Sequence, residues 1–356
     1  MIRLLVMSLA ALAATSAPAQ AGNWKHQHSK LEVPDQLAGL ALLDVRDSEN
    51  NGLDVSLNFW DSERGENITL YVFRNVSGDV PVWYDRASAI LALQPKFANA
   101  VAVAPPASFV PPGQGSASGL KQIFAESGGD WKSTALALMP MGEWYVKFRL
   151  SSKTRTVDEL AARLEQSLAA IKWPTKLAAQ PVAVPVAACS APLTYAGKAE
   201  IAETNVAAGL MAALMVSAAN SGDRKSKDKD KGEAESPTIW CRDPKVVKDS
   251  NQFPFGAVYR RNNQTDDYLL TVADSGRAMA IGRNGIAELV KEDDKPVSPR
   301  WTPRLILLNR TIVYQDFASL APPEQLLSLL QTGKTVSSVN TFGDKRTISL
   351  TPDAAK

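Results

Sequence analysis

Histidine is nearly absent from the 356-residue chain, which carries only His26 and His28. Histidine does most general acid–base work near neutral pH, so a Ser-His-Asp triad or a histidine acid–base pair would have to be assembled around one of these two. Both fall in a segment that reads as a solvated terminus, and termini are usually mobile, which argues against a preorganised site there. A G-x-S-x-G nucleophile elbow is missing. No acidic stretch has the spaced oxygen ligands of a calcium loop, and a zinc site needs more fixed ligands than two histidines offer. The sequence therefore names no catalytic residue, no metal and no cofactor.

An excess of charge of one sign is missing as well. The 39 Lys and Arg residues stand against 37 Asp and Glu, which excludes the concentrated basic footprint of a nucleic-acid binder. Long apolar runs are equally scarce. Residues 206–219 form an uncharged stretch of fourteen, heavy in Ala; this is short of the ~20 residues that cross a bilayer, and it reads as a buried or docking helix. No transmembrane segment is expected once the leader is removed. The Gly-rich residues 113–119 resemble a phosphate cradle in composition only, because they follow Pro111-Pro112 and lack the ensuing Lys.

Cysteine is down to a pair, Cys189 and Cys241. The start of the chain decides how to read it. Met1-Ile2-Arg3 gives a basic opening, residues 4–14 are apolar, and Ala19-Gln20-Ala21 is the small-x-small pattern that a signal peptidase cuts. Residues 1–21 thus read as a secretory signal, and the working chain starts at Gly22 in the periplasm or outside the cell. Two thiols in an oxidising compartment are expected to join. Their separation is too long for a C-x-x-C redox motif, and closing such a loop contributes up to about 4 kcal/mol on the chain-entropy model.

What the chain does have is alternation. Leu53, Val55, Leu57 and Phe59 interleave with Asp54, Ser56 and Asn58, a period of two that gives a strand one apolar face. Asn51-Gly52 is a turn signal pairing this strand with residues 40–46, and Ile68, Leu70 and Val72 continue the pattern. Asp85 is a cap for a short helix ended by Gln94-Pro95, and the Pro-rich residues 101–119 read as a long loop. A hairpin spans 131–139 and 143–150 around Pro140-Met141-Gly142. Thr156 and Glu159 form a capping box, and Leu160, Leu164, Leu168 and Ile171 make the buried stripe of the helix that follows.

Residues 175–188, with Pro181 and Pro185 among Val and Ala, read as an extended linker. The second unit, 189–352, begins with a strand at 193–195 and a helix over 199–219. Its Lys/Asp/Glu run at 222–236 has the composition of a disordered loop. Seven short strands at 238–242, 257–261, 268–273, 277–281, 286–290, 305–308 and 311–315 follow, then a helix from Pro323 to Gly333 and a final hairpin. Together these predict an α+β protein of two domains, 31–174 and 189–352, each an antiparallel sheet flanked by helices.

The order of elements in residues 31–174 resembles the PsbP-like class of exported or lumenal domains. The likeness rests on the strands at 53–59 and 69–74, the helix after Trp83-Tyr84-Asp85, the run Glu143-Trp144-Tyr145-Val146-Lys147-Phe148-Arg149, and the helix ending at Ile171-Lys172-Trp173-Pro174. In place of the aromatic-proline entry common in such domains stands Val33-Pro34. The resemblance implies an accessory or assembly role through binding, without catalysis.

Aromatics supply the candidate surface. Trp83, Tyr84, Trp131 and Trp144, with Trp60 and Tyr145, crowd the first unit; they either fill the core or anchor a protein, peptide or glycan partner in the cell envelope. The expected function is a non-enzymatic exported binding or accessory protein, with residues 101–119 part of the contact. The alternative is a hydrolase that uses a carboxylate pair on cell-envelope polymer. N-terminal sequencing of the exported protein is expected to begin at Gly22; a mature chain that keeps Met1 would contradict the export reading.

Overall fold

Alternation governs the structure, a computed structural model that describes residues 22–126, 129–202, 236–248, 256–285, 298–343 and 347–351. The signal segment, the charged run at 222–235, the strand expected at 286–290 and nearly all of the helix expected at 199–219 lie outside the described residues.

The chain begins with β1 (Trp24–Lys25) and β2 (Glu32–Val33), which pair with each other. The first large sheet takes β3 (Gln36–Leu37), β4 (Leu40–Asp47), β5 (Asp54–Asp61), β6 (Glu66–Arg74), β7 (Ala100–Ala102), β8 (Ala107–Phe109), β9 (Gly119–Glu126), β10 (Ser133–Met141) and β11 (Trp144–Ser152). Its order is β3-β4-β5-β6-β11-β10-β9, with β7 and β8 both laid on the outer edge of β9. The register lines up Leu57, Leu70, Phe148 and Ala137 across four strands. On that face lies α2 (Val157–Ala170), whose Leu160, Leu164 and Leu168 enter the same core. The Thr156 hydroxyl accepts from the Glu159 amide while the Glu159 carboxylate accepts from the Thr156 amide, closing the helix start. Arg155 and Arg163 both reach the buried Glu66 at 2.7 and 3.1 Å, so α2 is tied to β6.

The opposite face carries Phe73, Leu136, Leu138 and Tyr145, and α1 (Val80–Ala92) lies on it through Trp83, Tyr84 and Ala87. A second sheet closes on the same cluster. It runs β12 (Ala187–Ala188), β13 (Trp240–Val247), β14 (Gly256–Arg261), β15 (Tyr268–Thr271), β16 (Ala278–Arg283), β17 (Trp301–Ile306), β18 (Arg310–Tyr314), β19 (Thr335–Asn340) and β20 (Ile348–Leu350), in sequence order. Trp240, Tyr259, Leu269 and Ala278 meet α1. A third helix, α3 (Pro323–Thr332), buries Leu326 in a separate core of the second sheet. The expected disulfide joins Cys189 and Cys241 beside the start of β13.

The expected α+β arrangement with helix-flanked sheets is thus corrected to a mostly β architecture: among the described residues, two nine-stranded sheets, the small β1–β2 pair and three α-helices. The physical reason is that few segments carry a 3.6-residue stripe, and the remaining apolar runs pair instead. Residues 101–119 are a case in point. Pro105, Pro106, Pro111 and Pro112 fall between or beyond three-residue edge strands, where a missing N–H costs no ladder bond. The first helix starts at Val80, with Asp79 as N-cap and Pro81 in the first turn, where its fixed φ fits. Asp85 is therefore a mid-helix residue. Residues 193–195 are not a strand, and at 199–202 the chain is extended, with Ile201 bridged to Phe317.

The sheets meet along a polar seam. Arg74 donates to the Leu308 and Thr341 carbonyls at 2.7 and 2.6 Å, Ser77 donates to the Gly276 carbonyl at 2.7 Å, and Arg277 pairs with Asp54 at 2.7 Å. At Gly276, with φ of 85°, a Cβ would stand 2.9 Å from the Arg74 carbonyl oxygen. Gly276→Ala is expected to cost about 1–3 kcal/mol through left-handed strain and loss of the close approach. Denaturant midpoints check this; an unchanged midpoint would mean the seam tolerates the extra atom.

Candidate functional site

The aromatic residues singled out from the sequence do not converge. Trp83 and Tyr84 are buried in α1, the Trp83 indole donating to the Ser77 carbonyl and the Tyr84 hydroxyl to Gln122. Burial pushes the Tyr84 hydroxyl far above its ordinary value, so it stays protonated. Trp144 is buried on the α2 side of the sheet, edge-on to His26 at 4.4 Å and stacked on His28 at 5.8 Å. Trp131 stands apart, half-buried, packing on Phe97 with the Lys96 and Lys153 ammoniums over its ring. Tyr145 is also buried, and Trp60 is 39% exposed.

The concave site lies elsewhere, in the seam. A cleft of about 500 Å³ opens between the turn that leads from β6 into α1 and the facing strands of the second sheet. One wall is Asn75 to Asp79; the other is Trp240, Tyr259, Arg261, Leu269, Ala280, Arg304 and Ile306, with Asp267 at its rim. Trp240 comes from β13 directly before the disulfide-bonded Cys241, and its indole donates to Asp79 at 2.7 Å. Tyr259 from β14 donates its hydroxyl to Asp85 at 2.7 Å, and Arg242 pairs with the same carboxylate at 3.0 Å. These contacts fix the helix against the sheet that lines the cleft.

Two arginines reach into it. Arg261, at the end of β14, pairs with Asp267 at 3.2 Å and stands 6.0 Å from the Trp240 ring. The side chain of Arg304, in β17 opposite Ala280 and Val313, makes no hydrogen bond or ion pair among the described residues, and its Nε is buried without a partner. Burial, and secondly the like charge of Arg261, pull its guanidinium below the ordinary arginine value, with Asp267 opposing them. Trp240, Arg261 and Arg304 are not among the residues that the sequence singles out. One local sign was present: Arg304 is a single cation inside the otherwise uncharged strand Trp301–Ile306.

Carboxylates offer less. Asp79 and Asp267 border the cleft, but the first accepts from Trp240 and the second from Arg261. Burial raises the Asp316 carboxyl, yet Thr302, Asn284 and Arg300 surround it rather than a second acid, and it does not line the cleft. A larger hollow of about 660 Å³ beside α3 is bordered by Ala199 to Ile201, where the chain leads to residues outside the description, and it carries no assignment. No group of three or more potential metal ligands is gathered among the described residues. No helix among them is long and apolar enough to cross a membrane.

No family model, no curated protein and no solved structure matches the chain, so the resemblance of residues 31–174 to PsbP-like domains gains no support from relatives.

His26 is the other departure from expectation. Rather than sitting in a solvated terminus, it is buried, its Nε2 donating to the Gly52 carbonyl at 2.9 Å while its Nδ1 accepts from the Ser29 amide. Burial is the main cause that lowers its pKa from 6.5. The unfolded chain then takes up the proton first, so this stabilisation is complete above 6.5 and is lost as pH falls through the lower folded value. Denaturant midpoints are expected to drop on acidification through that window, and the drop is expected to be smaller in His26→Gln. An equal drop in both proteins would remove His26 as the cause.

Proposed function

We propose that the protein is an exported binding or accessory protein that performs no catalysis of its own and holds its ligand in the cleft between the β6–α1 turn and the second sheet. The observation that carries this reading is the cleft: about 500 Å³, walled by the β6–α1 turn and the second sheet, with the Trp240 and Tyr259 rings on one side and the Arg304 head, which makes no hydrogen bond among the described residues. Pockets with ring walls and a few convergent polar groups are the default ligand seats of globular proteins. The disulfide between Cys189 and Cys241 supports an oxidising compartment, periplasmic or extracellular. The partner is a protein, peptide or glycan of the cell envelope.

A carboxylate hydrolase is the competing reading. It requires one acid and one base placed on either side of a scissile bond. The two carboxylates bordering the cleft each give one oxygen to Trp240 or Arg261, which favours binding without turnover.

The test is a panel of envelope-derived peptides and glycans, followed by NMR for both binding and chemical change. A ligand is expected to bind saturably and return unaltered, to be excluded by Thr238→Trp, which fills the cleft mouth, and to be retained by Trp131→Ala outside it. Turnover that disappears in Asp79→Asn or Asp267→Asn would overturn the reading in favour of a hydrolase.

A further inference from the structure

We infer that the seam cleft recognises its ligand through a carboxylate group seated on Arg304, with the ligand's apolar body against the ring of Trp240 and the Leu269 and Ile306 side chains. The inference rests on the reading of the cleft as a ligand seat and adds the chemistry that fills it. Its basis is Arg304 itself. A guanidinium offers five donors in a planar fork, and buried donors that go unmade are costly. The other charged groups lining the cleft have partners: Arg261 and Asp267 pair with each other, though one Asp267 oxygen is left unbonded, and Asp79 accepts from Trp240. Arg304 has none among the described residues, and its Nε is sealed from water. Its ladder neighbours in β16 and β18 are Ala280 and Val313, which offer it no charge, and the carboxylate that acts on it, Asp267, makes its ion pair with Arg261.

The surrounding charges select among oxyanions. A bidentate carboxylate matches the guanidinium fork. A phosphate matches it too, but as a dianion it meets the Asp79 and Asp267 carboxylates bordering the same cleft, a repulsion that a single negative charge suffers less. The apolar wall likewise favours a ligand with a hydrocarbon body over a bare inorganic ion.

Hexanoate, its neutral isostere hexanamide, and inorganic phosphate are the probes, each titrated into the processed full chain. The readout is the Arg304 Nε–Hε resonance, assigned by its loss in Arg304→Gln, with binding also followed by calorimetry. Hexanoate is expected to shift that resonance saturably and to bind at least about tenfold more tightly than hexanamide or phosphate. Its affinity is expected to fall by about tenfold or more in Arg304→Gln and by less in Arg304→Lys, which keeps the charge without the fork. Both variants are expected to keep the parent melting temperature, and Arg304→Lys carries the comparison if the Gln variant does not. Hexanamide binding as well as hexanoate, with sensitivity to Thr238→Trp, would overturn the carboxylate while leaving the ligand seat standing. Phosphate binding more tightly than hexanoate would overturn it in favour of a phosphorylated ligand. No response from any probe up to its solubility limit would overturn the oxyanion altogether.

Discussion

The guanidinium of Arg74 holds the two sheets to each other. From the end of β6 it donates to the carbonyl oxygens of Leu308 and Thr341 on the far side of the seam, and it is buried there. A buried charge is tolerated only when its donors are met, so pulling the sheets apart would strand it or require water to enter. The other seam contacts repeat the logic. Lys147, buried on β11, reaches Asp274 at 2.7 Å, and Arg277 is shared between Asp54 and Glu49. Burial alone would raise the Asp274 carboxyl, but Lys147 with Arg86 and Arg149 outweighs it and holds the group below the usual aspartate value.

The cleft follows from that docking. Its walls are the turn from β6 into α1 and the second sheet, and α1 is the wedge between the sheets, with Trp83 in the cluster shared by β10 and the second sheet. The N-terminal arm adds a brace on the other side, where His28 and Trp144 meet Phe342 from the distal end of the chain at 4.9 and 6.5 Å. The disulfide secures the strand that begins with Trp240, and the buried Arg260 next to it donates to the Ala191 and Gln264 carbonyls. The disulfide therefore bears on the wall of the cleft.

Local features were legible in the sequence where they depend on near neighbours. The alternation through Val55, Leu57 and Phe59, the capping box of Thr156 and Glu159, and the cysteine pair are each encoded within a short window or by compartment chemistry. Features set by distant partners were not. Edge strands β7 and β8 exist because β9 offers them a free side, which no property of residues 101–119 announces. The cleft joins Asp79 to Trp240 and the turn at Ser77 to the strand at Arg304. Alternation shows that a ring such as Trp83 or Trp144 points to one face, but not whether another element covers that face. Here α1 and the N-terminal arm cover both.

The seam makes one cooperative body out of two sheets, and the cleft has no existence without it. Separately folding units joined by a modest interface unfold one at a time, whereas a buried, hydrogen-bonded seam couples them. Scanning calorimetry of the oxidised, processed chain tests this most directly. The account predicts a single transition whose van't Hoff and calorimetric enthalpies agree; two resolved transitions, one for each sheet, would contradict it.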